Sequence, residues 1–162
     1  MSLSNHAHTM QLRLIVVGKI RESYVGAACE NFRKRLRPYY SLEEIEIRPA
    51  DGSDPRQAIR SEGKRILKVL SPDDRAWLLD RAGRQLSSVA LSRHLDEVSR
   101  SGVSRLTLII AGTYGADSAL VKRAEFLWSL SELTFLHEWA RMIVLEQLYR
   151  AAKITRNEPY HH

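Results

Sequence analysis

The chain has 162 residues, 44% hydrophobic and 27% charged, an ordinary globular composition at a length that one domain commonly takes. Its single cysteine, Cys29, excludes an intrachain disulfide and points to a reducing, cytoplasmic setting, and no run approaches the ~18 apolar residues of a membrane span. Lys and Arg number 25 against 19 Asp and Glu, a net charge of +6 that favours a polyanionic partner without identifying one.

Residues 1–9, MSLSNHAHT, are polar and aperiodic and read as an extension or tag remnant ahead of a single domain over residues 10–162. LRLIVVGK, from Leu12 to Lys19, is a short β-branched run that Gly18 ends. Glu22 to Leu36 carries Val25, Cys29, Phe32 and Leu36 at helical spacing and stops before Pro38. LEEIEIRP alternates like a half-buried strand. Pro55 to Val69 then reads as a helix with Ile59, Ile66 and Leu67 inward.

RAWLLDRAG gives a third strand ending near Gly83; Ser87 and Ser88 are N-cap candidates for a helix over Val89–Arg100, with Gly102 past its end. RLTLIIAG is the most hydrophobic strand, as expected at the centre of a parallel sheet covered on both faces. The alternation predicts an α/β domain with a mostly parallel sheet and helices on both faces, whose ligands collect at the carboxyl ends of the strands, after Leu79 and after Ile110.

The loop after the fourth strand, AGTYGAD, has Gly112 and Gly115 but not the lysine and spacing of a phosphate loop, nor the dinucleotide fingerprint. It is either a turn or a loop whose backbone meets a neutral or zwitterionic ligand. Leu127 to Phe135 fits neither helical nor strand period and is expected as an irregular, partly buried loop. The last helix, about Glu138 to Ile154, is apolar over more than one stripe, so it is wedged inside the domain or meets another subunit; a two-fold dimer is the favoured reading. His137 and Arg141 stand four apart on its first turns, and the tail ends in Tyr160, His161 and His162. Arg33, Lys34, Arg35 and Arg37 form a basic cluster on the first helix. No His/Cys/Asp spacing matches a zinc site, no serine-hydrolase elbow is present, and Cys29 reads as a buried hydrophobe.

Together LIIAGTYG, SLSELTF followed by His137, RMIVLEQLYRAAKI and NEPYHH resemble the RlmH family, SPOUT-class methyltransferases that modify N3 of a pseudouridine in large-subunit (23S) rRNA. MQLRLIVVGKIRESY and WLLDRAGRQLSS agree, so the likeness runs from Met10 to the end. The resemblance implies a SPOUT α/β-knot, with a deep trefoil knot in the C-terminal part, a homodimer, and the assembled 70S ribosome as substrate. It implies S-adenosylmethionine, with no metal, on Leu79, Ala111, Gly112, Leu130, Ser131, Glu132, Leu133, Thr134 and Phe135. For that methyl transfer the catalytic candidates are His137, Tyr160 and His161, to orient the base or accept its proton, and Arg141, which with Arg150 could hold phosphate or the developing charge; Arg33 and Arg35 of the basic cluster, with Arg150, are the RNA-contact candidates. Many members have glycine where this chain has Ala111, and proline where it has Glu138. Two rivals are a non-catalytic basic module that docks on ribosomal RNA and a doubly wound nucleotide-binding phosphatase or reductase; the latter is weakened because VVGKIRES holds only Gly18.

Overall fold

The computed structural model describes residues 10–160; the expected extension at residues 1–9 and the terminal His161 and His162 lie outside the described residues. Five parallel strands, β1 (Gln11–Val17), β2 (Ser41–Ile47), β3 (Arg75–Gln85), β4 (Arg105–Ile110) and β5 (Phe126–Ser129), form one sheet in the order β2-β1-β4-β3-β5. The fourth strand is central, as its continuous apolar run requires.

Five helices cover the sheet: α1 (Ser23–Leu36), α2 (Pro55–Val69), α3 (Ser88–Arg100), α4 (Ser118–Arg123) and α5 (His137–Thr155). The period-2 alternation of β1 divides the core. Leu12, Leu14 and Val16 face α1, α3 and α5, whereas Ile15 and Val17 face α2 and α4. Local chemistry sets the ends. Asp54 caps α2 through the N–H of Arg56 at 3.0 Å with Pro55 at the first helical position, and the Ser87 hydroxyl takes the N–H of Ala90 at 3.0 Å.

Two expectations change. Leu127–Phe135 is not irregular throughout, because Phe126–Ser129 adds a fifth strand on the outer edge of β3; four residues are too few to display a period. And α5 packs between α1 and α3, burying Val144, Leu145, Leu148, Ala151 and Ala152. Its broad apolar surface therefore has an intrachain explanation and does not itself call for a second subunit. Cys29 is fully buried, and burial pushes its thiol pKa up, consistent with a packing role. Among the described residues no helix is long and apolar enough to cross a membrane.

Candidate active site

The interrupted middle of β3 and the carboxyl ends of β4 and β5 open onto one cavity of about 490 Å³, within the range of small-molecule sites. Its first wall comes from an interruption in β3. Leu79 and Arg84 both pair with Trp128 of β5, so residues 80–83 fall out of register, and Asp80 and Arg81 turn to the cavity. This close passage requires Gly83, where a Cβ would stand 2.6 Å from the Leu127 backbone. Asp80 Oδ1 takes the N–H of Ala82 at 2.8 Å, and Arg81 donates to Thr134 Oγ1 at 3.0 Å, tying the first wall to the third.

The second wall is the β4–α4 loop. Gly115 donates its N–H to Gly112 O at 3.0 Å, closing a turn over Thr113 and Tyr114, with Gly115 itself at φ +96°. Gly115 is thus the turn glycine. Gly112 leaves room for the Glu62 carboxylate, which a Cβ there would displace. Ala111 keeps an ordinary backbone, since Asn157 is the one non-glycine residue with positive φ among the described residues, so its methyl costs no backbone strain.

The third wall runs from Trp128 to His137. Ser129 donates its hydroxyl to Ser131 O at 3.0 Å, and the Leu133 N–H reaches Ser131 Oγ at 3.1 Å, which satisfies polar groups of this loop internally. Leu130, Ser131, Leu133, Thr134 and Phe135 line the cavity together with Leu79, Ala111 and Gly112. Glu132 does not line it and is exposed. The sequence pointed to the segment after Leu79 but not to Asp80 and Arg81, because nothing local signals the break in register, nor to Tyr114 in the turn after β4.

His137, the first residue of α5, also lines the cavity. Its Nε2 meets the Val17 carbonyl, which can only accept, so Nε2 carries the hydrogen and Nδ1 is the nitrogen left to take a proton. Glu138 points away from the cavity. Its two carboxylate oxygens take the N–H groups of Arg21 (2.6 Å) and Glu22 (3.1 Å), and these bonds hold its pKa below the ordinary value.

Arg141 departs from the expectation of a cavity cation. It is 3% exposed, with Nη1 and Nη2 each 3.2 Å from Glu46 Oε1 and Nε 3.5 Å from Glu44 Oε1. Four-residue spacing brought its Cα to the face of His137, but the long side chain reaches β2 instead. Arg33 is drawn into the same network, bound to Glu44 and to Glu30, which leaves it one-quarter exposed. Arg35 is exposed and bonds Asn31 Oδ1 at 3.1 Å. Arg150 pairs with Glu146 at 2.7 Å and lies 3.6 Å from the centroid of the Tyr160 ring, whose hydroxyl also reaches Glu146 at 3.2 Å. Tyr160 thus folds back onto the middle of α5, nine to thirteen residues or roughly 14–20 Å along the helix from His137, and it does not line the cavity of its own chain.

The chain belongs to a class of methyl-transfer enzymes, the SPOUT methyltransferase family, whose model, described as "Predicted SPOUT methyltransferase", matches residues 10–161. Among curated relatives, it is 41% identical over 153 residues to the ribosomal RNA large subunit methyltransferase H of Gloeobacter violaceus, covering 94% of this chain and 99% of that one. It is 37% identical over 158 residues to the protein of the same name from Desulfitobacterium hafniense, with the same coverage. Among solved structures, a tRNA (m1G37) methyltransferase from Aquifex aeolicus shares the fold, with TM-score 0.51 and 17% identity over 94% of this chain and 75% of that one.

Proposed function

We propose that the protein methylates ribosomal RNA with S-adenosylmethionine as donor, at N3 of a pseudouridine in large-subunit 23S rRNA within the assembled 70S ribosome, and that it does so as a cytoplasmic homodimer. The observation that carries the reading is the cavity, whose lining includes eight of the nine residues expected to hold the cofactor. Its size and its chemistry suit an adenosyl group: aliphatic and aromatic side chains from Leu79, Ile110, Leu130 and Phe135, interleaved with backbone from two loops. S-adenosylmethionine, when bound, supplies a methyl group on a sulfonium that a ring nitrogen displaces from behind.

For this chain's residues the task is alignment and proton removal. The Nδ1 of His137 is the proton acceptor that the cavity offers to the N3–H of the base. On this reading Tyr160 and His161 of a second copy complete the site across the dimer, since Tyr160 packs on Glu146 and Arg150 of α5 and is not among the residues that line the cavity of its own chain. Exposed Leu133, Leu136 and Trp139 beside the cavity supply apolar surface for that contact. Arg35 and Arg150, with the net charge of +6, supply phosphate attraction. The C-terminal knot of the family follows on the same reading.

The test incubates the protein and labelled S-adenosylmethionine with 70S ribosomes lacking the modification, then digests the RNA and identifies the labelled nucleoside. One methylpseudouridine per large subunit is expected. No transfer, combined with no binding of S-adenosylmethionine by calorimetry, overturns the proposal; transfer to another nucleoside overturns only the base assignment.

A further inference from the structure

Behind the β4–α4 wall, α2 carries a Glu-Gly pair with no part in the chemistry above. Glu62 is 7% exposed. Its Oε1 takes the N–H of Ala50 in the β2–α2 loop at 3.0 Å, and its Oε2 fills the space where a side chain on Gly112 would go. The next residue, Gly63, makes room for Asp117, the residue that precedes α4; a Cβ on Gly63 would stand 2.7 Å from Asp117 Cβ. One dipeptide of α2 thus meets both ends of the loop that forms the second wall of the cavity.

Among the described residues no cation forms an ion pair with Glu62. Burying a carboxylate without one is unfavourable, and an apolar residue would fill ordinary core space at lower cost. What the carboxylate does here is bond one loop, at Ala50, and pack against the other, at Gly112, at the carboxyl edge of the sheet. A cavity that meets its ligand through loop backbone depends on where that backbone lies, to within about 0.5 Å.

We propose that Glu62 and Gly63 are positioning residues for ligand binding: together they seat residues 111–117 and so set the backbone wall of the cavity. The assignment deepens the proposed function and relies on it only for the identity of the ligand.

The test compares wild type with Glu62→Ala, Glu62→Gln, Gly112→Ala and the double variant Gly112→Ala/Glu62→Ala, using amide hydrogen exchange and calorimetry with S-adenosylmethionine. Glu62→Ala is expected to accelerate exchange in residues 111–117 by about tenfold or more while residues 106–110 stay as in wild type, and to weaken binding by about tenfold. Glu62→Gln, which keeps the volume and an acceptor for the Ala50 N–H, restores both readings to within about twofold. Gly112→Ala alone is as damaging as Glu62→Ala, and the double variant is no worse than Glu62→Ala, since the collision is gone. Unchanged loop exchange in Glu62→Ala, failure of glutamine to rescue, or full additivity in the double variant each overturns the assignment. If wild type binds no S-adenosylmethionine while the exchange pattern holds, the seat is supported and the proposed ligand falls.

Discussion

Glu138, in the first turn of α5, reaches across to the backbone of Arg21, whose N–H lies 2.6 Å from its Oε1. The same carboxylate takes the N–H of Glu22, the N-cap residue of α1, which has no side-chain cap of its own. This carboxylate thus joins the starts of two helices and fixes the β1–α1 loop beside His137.

This bond gives a pH dependence. Its backbone donors hold the Glu138 pKa below the usual 4.5, so its contribution to stability is complete above the unfolded value and is lost as pH falls through the lower, folded one. The difference in Tm between wild type and Glu138→Ala is therefore expected to be constant from neutral pH to about 5 and to shrink below it. A difference that grows on acidification would contradict the bond.

Arg141→Met is expected to destabilise the fold by about 3 kcal/mol in urea unfolding, the low end for breaking a buried pair, because Arg33 still neutralises Glu44. Adding Glu44→Leu to that variant recovers part of the loss. If Arg141 instead held substrate, the single change would leave unfolding untouched and abolish activity.

Gly83→Ala places a methyl against the backbone of Leu127 and Trp128, 2.6 and 2.8 Å away, where no flexible side chain can yield. A loss of about 1–3 kcal/mol is expected. Weaker ligand binding accompanies it, since Trp128 to Leu130 also wall the cavity.

Burial raises the Tyr40 phenol to about 12. Its neutral form is favoured by folding, so its contribution is complete below about 10, where the unfolded phenol begins to ionise, and is lost as pH rises through the folded value. Unfolding free energy is expected to fall by roughly 2–3 kcal/mol across that interval from this group. Tyr40→Phe removes that part of the decline, and ultraviolet titration checks the phenol directly.

His137→Asn is expected to lower kcat by about a hundredfold and to leave the KM for S-adenosylmethionine within about threefold. A fall in kcat with the KM retained is the signature of a group acting at the chemical step. An unchanged kcat assigns the step elsewhere.

Most of the architecture was legible because the periods are clean. Pro55–Val69 carries a cap, a proline and an apolar stripe, and its observed bounds coincide with the expected ones. The central place of β4 follows from an apolar run that only two covered faces can accommodate. β5 was illegible because its four residues depend on pairing with a distant edge. The site divides the same way. The cavity residues follow chain order along two loops, whereas Arg141 was misassigned because spacing fixes a Cα position, not where seven side-chain atoms end. Glu62 gave no signal, since a charged residue on an amphipathic helix looks solvated until the β4–α4 loop packs over it.

The break in register after Leu79 has a mechanical consequence. Asp80 and Arg81 are held between two stretches of paired strand, Trp77–Leu79 and Arg84–Gln85, so their wall is clamped at both ends by the β5 ladder. Moving it means unzipping a sheet edge. That makes β3 the fixed side of the cavity, the anvil on which any bound molecule rests, and Arg81 fastens the facing loop to it at Thr134.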